Sequence, residues 1–294
     1  MQTGKENTNI KYKLKGHETF CIREGWLSKG IKAVSEDSKV FSNMYGADEL
    51  GVGSNMAKAI RYWLKACGLT IEVSGKGVRL SEFGKIVFQY DPYLEEKFTL
   101  WCIHINLAKN QENATSWYLF FRKYQLEEFT REELESFMTE QFIKYAKTEE
   151  FSSRSLRDDC NVLLQMYGKE RLTANDPEDK KISPLSKLGI LRKTENIYKR
   201  TAPDYSNISS EVLLYLMQGY SKETAISMEE LYSGELGVLP VLGIGVSMYQ
   251  EYLEELAERG YIDINRTAGL DMIYKIKQQS GEDIALDFYK KVKE

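Results

Sequence analysis

The chain has 294 residues, enough for about two domains, and its 42% hydrophobic and 29% charged residues exclude a disordered polymer. No run approaches the roughly 18 apolar residues of a membrane span, and the N-terminus MQTGKENTNIKYKLKG has no apolar signal core. The net charge of −4 argues against a general polyanion binder, but residues 1–90 carry 14 Lys and Arg against 9 Asp and Glu, so any nucleic-acid footprint belongs there. Cys21, Cys67, Cys102 and Cys160 form no CxxC pair, and with only two histidines a Cys/His zinc site is not expected. Scattered thiols and no signal point to the cytoplasm.

Residues 1–15, with Lys5, Lys11, Lys13 and Lys15, read as a mobile or edge segment, with a DNA-touching basic arm as the second reading. In GHETFCIREGWLSKGIKAV, Phe20, Trp26, Leu27, Ile31 and Val34 anchor a first helix. His17 beside Glu18 suits acid-base work, since His titrates near neutrality and Glu can orient it. The competing reading is a hydrogen-bonded His at a helix start with Glu18 in the first turn. Arg23 and Lys29 add charge beside the aromatics. Residues 35–53 form a loop with a short helix at 47–50; Gly51-Val52-Gly53 lacks a following GK[ST], so it is no phosphate loop.

From Ser54 to Phe88 the pattern is strongest. Met56, Ile60, Trp63, Leu64 and Cys67 fall at helical spacing, Asn55 stands where a cap is wanted, and Gly68 ends the helix. Two short runs, 69–73 and 78–80, flank Ser74-Gly75-Lys76-Gly77 as a hairpin, and 81–85 starts another helix. Helix, hairpin, helix resembles a winged helix-turn-helix. Lys58, Arg61 and Lys65 share one face of its recognition helix, and Lys76 and Arg79 sit on its wing. That arrangement meets phosphates and groove edges. The DNA-contact set is therefore Asn55, Lys58, Arg61, Lys65, Lys76 and Arg79, with Arg23 and Lys29; the plainer reading is a solvated helix face.

Asp91 as N-cap and Pro92 at the first position predict the start of a long helix. Asp91 and Glu95, four apart, would also suit a paired carboxylate site. Residues 99–107, TLWCIHINL, should be buried, with His104 and Asn106 as either a satisfied polar pair or a site lining. Further helices are expected at 114–124, from Thr130 with its Glu133 capping box to about Lys147, and at 153–167. A short helix at 183–189 precedes a hairpin across Glu195-Asn196. The last third repeats the first design, with helices at 209–219, from Ser227 through Tyr232, and at 247–259, then wing strands at 261–264 and 272–276. Its third helix carries Glu251, Glu254, Glu255 and Glu258 and would repel phosphate, so it reads as a packing or protein-contact unit. The fold class is mainly α with small β-hairpin wings (α+β): a winged helix at 1–90, a helical domain at 91–206 and a winged-helix-like domain at 207–294.

GHETF with the following R.GWL.K, LGVG.NM...IRYW, DPYLE with TLW..H.NL, RDDCNVLLQMY and SPLSKLGIL carry a family resemblance over roughly 16–276. The chain resembles an uncharacterised bacterial family encoded beside DNA phosphorothioation and phage-defence genes, and is similar to the SspB nicking subunits. The motif positions matched include His17, Glu18, Arg23, Trp26, Lys29, Asn55, Arg61, Trp63, Asp91, Glu95, His104 and Asn106. The resemblance implies a DNA-associated role, with a cysteine desulfurase and an adenylyl-sulfate-reductase-like enzyme as partners. Three functions follow as expectations: a DNA-binding component, a DNA nickase or a protein scaffold. A nickase would place His17, Glu18, Asp91 and Glu95 in its catalytic centre, with Mg²⁺ as cofactor.

Overall fold

The computed structural model describes residues 10–42, 45–169, 182–218, 225–235, 237–267 and 270–293. The N-terminal part comprises α1 (Trp26–Glu36), α2 (Tyr45–Leu50), α3 (Ser54–Ala66), the hairpin β1 (Thr70–Val73) and β2 (Gly77–Leu80), and α4 (Glu82–Tyr90). α3 forms because Ala59, Ile60, Trp63 and Leu64 make one fully buried face, and the chain leaves it through Gly68 at φ 76°. Its N-cap is Gly53 rather than Asn55, which lies inside the first turn, exposed. Ser81 caps α4 by accepting from Gly84 N–H at 2.9 Å. Gly84 allows close approach: a Cβ there would lie 2.0 Å from the Leu69 carbonyl oxygen.

The central part holds α5 (Lys97–Lys109), α6 (Thr115–Lys123), β3 (Glu128–Thr130), α7 (Arg131–Ala146), α8 (Ser153–Tyr167), β4 (Gly168–Lys169), a 3₁₀ turn (Pro184–Leu188), β5 (Leu191–Thr194) and β6 (Ile197–Arg200). The Thr130–Glu133 capping box is present in full. The expected helix start at Pro92 is corrected: α5 begins at Lys97, and Asp91 is instead the C-cap of α4. The expected hairpin at 190–201 is β5–β6, widened by two strands that sequence reading did not identify, giving the order β3-β6-β5-β4 with β4 parallel to β5.

The C-terminal part runs α9 (Ser210–Met217), β7 (Ala225–Ser227), α10 (Met228–Ser233), α11 (Val238–Leu242), α12 (Val246–Glu258), β8 (Ile262–Thr267), β9 (Leu270–Lys275) and α13 (Gly281–Lys293). Its sheet has the order β7-β9-β8, with Ile264 opposite Ile273. Ser227 caps α10 as expected; the expected wing strands at 261–264 and 272–276 are the longer β8 and β9, and residues 268–269 between them lie outside the described residues. The fold is thus mixed α+β, dominated by helices with small sheets.

α5 is the hub. It is buried on every face because it packs against α6, α9 and the 3₁₀ turn at once. α13 closes over α4 and α9, so a single apolar core runs through all three parts. Among the described residues no single helix is long and apolar enough to cross a membrane.

Candidate functional site

The amphipathic α3 leaves Lys58 and Arg61 exposed and Lys65 half-buried, beside the exposed Lys76 and Arg79 of the hairpin. The hairpin is fixed to the α1–α2 connection: Val78 N–H donates to the Ser38 carbonyl at 2.7 Å. Gly77, at φ 82°, is needed there, because a Cβ would lie 2.2 Å from that oxygen. Lys58 and Arg61 also line a cavity of about 280 Å³ between α2 and the start of α3, with Phe41, Ser42 and Ser54.

One acidic residue, which sequence reading did not single out, modifies this surface. Glu72 on β1 accepts from Arg61 through Nε at 3.1 Å and Nη2 at 2.8 Å, and from Lys65 Nζ at 3.2 Å. Burial pushes the Glu72 carboxyl up, but hydrogen bonds and charge from Lys65 and Arg61 outweigh it and hold the group below its ordinary range. Lys58 makes only a long contact to Asn55 Oδ1, at 3.4 Å. Exposed pairs of this kind are worth only about 0.2–1 kcal/mol, so phosphates can compete for them. Arg23 lies over the Phe20 and Trp26 rings at 5.6 and 5.2 Å, and Lys29 is exposed on α1.

The structure places His17 elsewhere, in a buried latch. Its Nε2–H donates to Asp159 Oδ1 at 2.8 Å and its Nδ1 accepts from Thr19 N–H at 3.1 Å, which fixes the tautomer. Asp159 also accepts from Lys15 N–H at 2.8 Å and Ser116 Oγ–H at 2.5 Å. The imidazole stacks on Trp63 with centroids 5.6 Å apart, and Trp63 Nε1–H donates to the Phe20 carbonyl. Glu18 is half-buried next to it, in the left-handed region at φ 51°. This corrects the reading of residues 11–15 as mobile or edge. Lys13 N–H donates to Thr115 Oγ1 and Lys15 pairs with Asp158 at 2.7 Å, so this irregular segment is stitched to α6 and α8. Residues 1–9 lie outside the described residues.

Asp91 and Glu95 do not form a carboxylate pair. Asp91 is buried and turns inward, accepting from Glu95 N–H at 2.8 Å, Glu96 N–H at 3.2 Å and Thr99 Oγ1–H at 2.5 Å. Glu95 is exposed. No group of three or more His, Cys, Asp or Glu able to hold a metal ion occurs among the described residues. With both Asp91 oxygens engaged by donors, this donor set does not fit a Mg²⁺ site.

His104 and Asn106 are satisfied polar groups in the core. His104 Nε2–H donates to the Val241 carbonyl at 2.7 Å and Nδ1 accepts from Tyr167 at 3.0 Å. Asn106 donates to the Cys67 carbonyl and accepts from Tyr215. Burial pushes the His104 pKa down to about 4. An unfolded His, near 6.5, takes up a proton that native His104 resists, so stability falls as pH drops from about 6.5 to 4, by about 3 kcal/mol. Urea unfolding of wild type and His104→Gln at pH 7 and pH 4 checks this. The stability advantage of wild type at pH 7 is expected to shrink by about that amount at pH 4.

A family model described as a protein of unknown function, DUF4007, matches residues 14–289, and the chain belongs to that family. Curated proteins give no match. Two solved structures share the fold. A magnesium ion-bound SspB crystal structure has TM-score 0.82 at 23% identity, over 95% of this chain and 87% of that one. A second SspB crystal structure has TM-score 0.78 at 22% identity, over 97% and 88%.

Proposed function

We propose that the protein binds duplex DNA through residues 1–90, used as a winged helix, within a DNA phosphorothioation and phage-defence system. One observation carries the reading: α3 turns Lys58, Arg61 and Lys65 outward beside a hairpin bearing Lys76 and Arg79. The order of three helices and a hairpin suits a recognition helix and wing. Arg61 meets a phosphate or base edge, and the lysines and Arg79 hold the backbone. Asn55, Arg23 and Lys29 extend the footprint. The likeness to SspB supports the setting, in which the chain brings a cysteine desulfurase and an adenylyl-sulfate-reductase-like enzyme to DNA.

Glu72 gives this reading a two-sided test. Lys58→Glu with Arg61→Glu should weaken duplex binding at least about tenfold and lower the salt slope by about two, one per phosphate contact. Glu72→Gln should tighten binding by several-fold, because it releases Arg61 and Lys65 from their competing carboxylate. Fluorescence anisotropy on a labelled duplex reads both. Unchanged affinity in both variants would reject the interface.

The units at 91–206 and 207–294 then serve as the helical body and a partner-binding module. On α12 the carboxylates of Glu254 and Glu255 meet Arg266 at 3.2 Å and Arg259 at 2.9 Å, and Glu251 accepts from Tyr205. That leaves Glu258 as the acidic residue of the helix most open to a protein partner. Nicking is the second reading, favoured by the likeness to a magnesium-bound structure. A supercoiled-plasmid assay with Mg²⁺ tests it: nicks made by wild type and lost in Glu18→Gln would support the reading, and intact plasmid with wild type would reject it.

A further inference from the structure

A cavity that these readings do not absorb has a volume of about 530 Å³. It lies where α6, the β5–β6 hairpin and α11 meet, and its walls include Phe120, Phe121, Tyr124, Tyr167, Arg200 and Pro240. That volume is in the range of small-molecule sites, roughly 300–1,000 Å³.

Arg200 is its distinctive feature. Nη2–H donates to the Tyr124 carbonyl at 2.8 Å and the Phe120 carbonyl at 3.3 Å, and Nη1–H reaches the Pro240 carbonyl at 3.4 Å. The guanidinium lies 4.6 Å from the Phe120 ring centroid. Every one of these partners is neutral, and among the described residues Nε–H has none. The Tyr124 hydroxyl is likewise buried without a hydrogen-bond partner among the described residues. Burial pushes the Tyr124 hydroxyl up to about 12, so it is a donor at neutral pH.

A plainer role exists: Arg200 caps the C-terminal carbonyls of α6, as cations there often do. That role explains Nη2, while Nη1 reaches across to α11. It does not explain an orphaned Nε–H, an orphaned phenol and an aromatic-walled cavity in one place. Desolvating a cation without an anion is costly, and orphaned buried donors are rare.

We propose that this cavity binds a small anion carrying a planar aromatic body, the size of a nucleoside 5′-monophosphate. Arg200 Nε–H and Tyr124 Oη–H donate to the anionic oxygens, and the rings of Phe120, Phe121 and Tyr167 receive the planar part. The site is independent of the DNA-binding reading, because it shares no residue with α3 or the N-terminal hairpin.

Isothermal titration of the full chain tests it with three probes: dAMP, inorganic phosphate and a 5′-phosphorylated single-stranded oligodeoxynucleotide. Binding of dAMP or of the oligonucleotide is expected, and phosphate alone should bind at least tenfold more weakly. Binding of dAMP points to a free nucleotide as ligand; binding of the oligonucleotide only points to a strand end. Tyr124→Phe should weaken that binding about tenfold while leaving the thermal midpoint of the free protein unchanged or raised, since the hydroxyl has no partner to lose. Arg200→Gln should abolish binding; if it fails to fold, Tyr124→Phe alone decides. The proposal is overturned if neither dAMP nor the oligonucleotide binds, if Tyr124→Phe binds like wild type, or if phosphate alone binds as tightly.

Discussion

Asp159→Ala is expected to lower stability by about 3–5 kcal/mol, the range for stripping one member from a buried charged network. Three donors lose their acceptor together: His17 Nε2–H, Ser116 Oγ–H and the Lys15 amide. His17 and Ser116 are fully buried, so neither of those two donors can turn to water. Total stability of an ordinary domain is only about 5–15 kcal/mol, so the loss should be visible as a large drop in the urea midpoint. Asp159→Asn keeps one acceptor oxygen and should cost less. Hydrogen exchange adds a local readout: amides from Lys15 to Phe20 should lose protection first, since the network ties that segment to α6 and α8. An Asp159→Ala protein as stable as wild type would remove the latch from the list of things holding the N-terminal part in place.

Trp101→Ala is expected to cost a similar amount, about 3–5 kcal/mol, by a different route. Trp101 is fully buried in the middle of α5, and its Nε1–H donates to the Asn207 carbonyl at 2.7 Å. Truncation opens a cavity in the helix every other part leans on, and it strands that carbonyl at the entry to α9. Trp101→Phe refills most of the volume and loses only the hydrogen bond, so its cost should be nearer 1–2 kcal/mol, taking the usual hydrogen-bond contribution with slight underpacking. Thermal unfolding of the pair separates packing from polar satisfaction. Equal destabilisation by both would mean the indole N–H, not the ring volume, dominates.

Much of the fold was legible wherever local signals were strong. α3 announces itself by Ile60, Trp63 and Leu64 at helical spacing, the first hairpin by Gly75 and Gly77, and α7 by Thr130 with Glu133. The start of α5 was not, because Asp91-Pro92 carries the chemistry of a helix start while Asp91 spends its carboxylate on amides four and five residues on, in a turn. β3, β4 and β7 are too short for any period to show and exist through pairing with distant strands. α13 does carry a signal that went unread: Ser280 and Asp283 cap it reciprocally, and Ile284, Ala285 and Tyr289 form its buried face. For the candidate sites the limit was distance along the chain. The basic stripe could be read from α3 alone, but its partial neutralisation by Glu72 needs the folded hairpin. His17 could be read as a hydrogen-bonded histidine, yet its partner Asp159 stands 142 residues away. Arg200 shows no sequence signal for a cavity, since the cavity walls come from stretches far apart in the chain.

The most direct measurement is duplex DNA binding by the wild-type chain across a salt series, with Mg²⁺ present and DNA integrity followed in parallel. If Lys58, Arg61, Lys65, Lys76 and Arg79 each neutralise one phosphate, log K should fall against log salt with a slope of roughly −4.5, on intact DNA. Absence of binding at low salt, or a slope near zero, would refute the proposed interface and leave the partner-binding role in front.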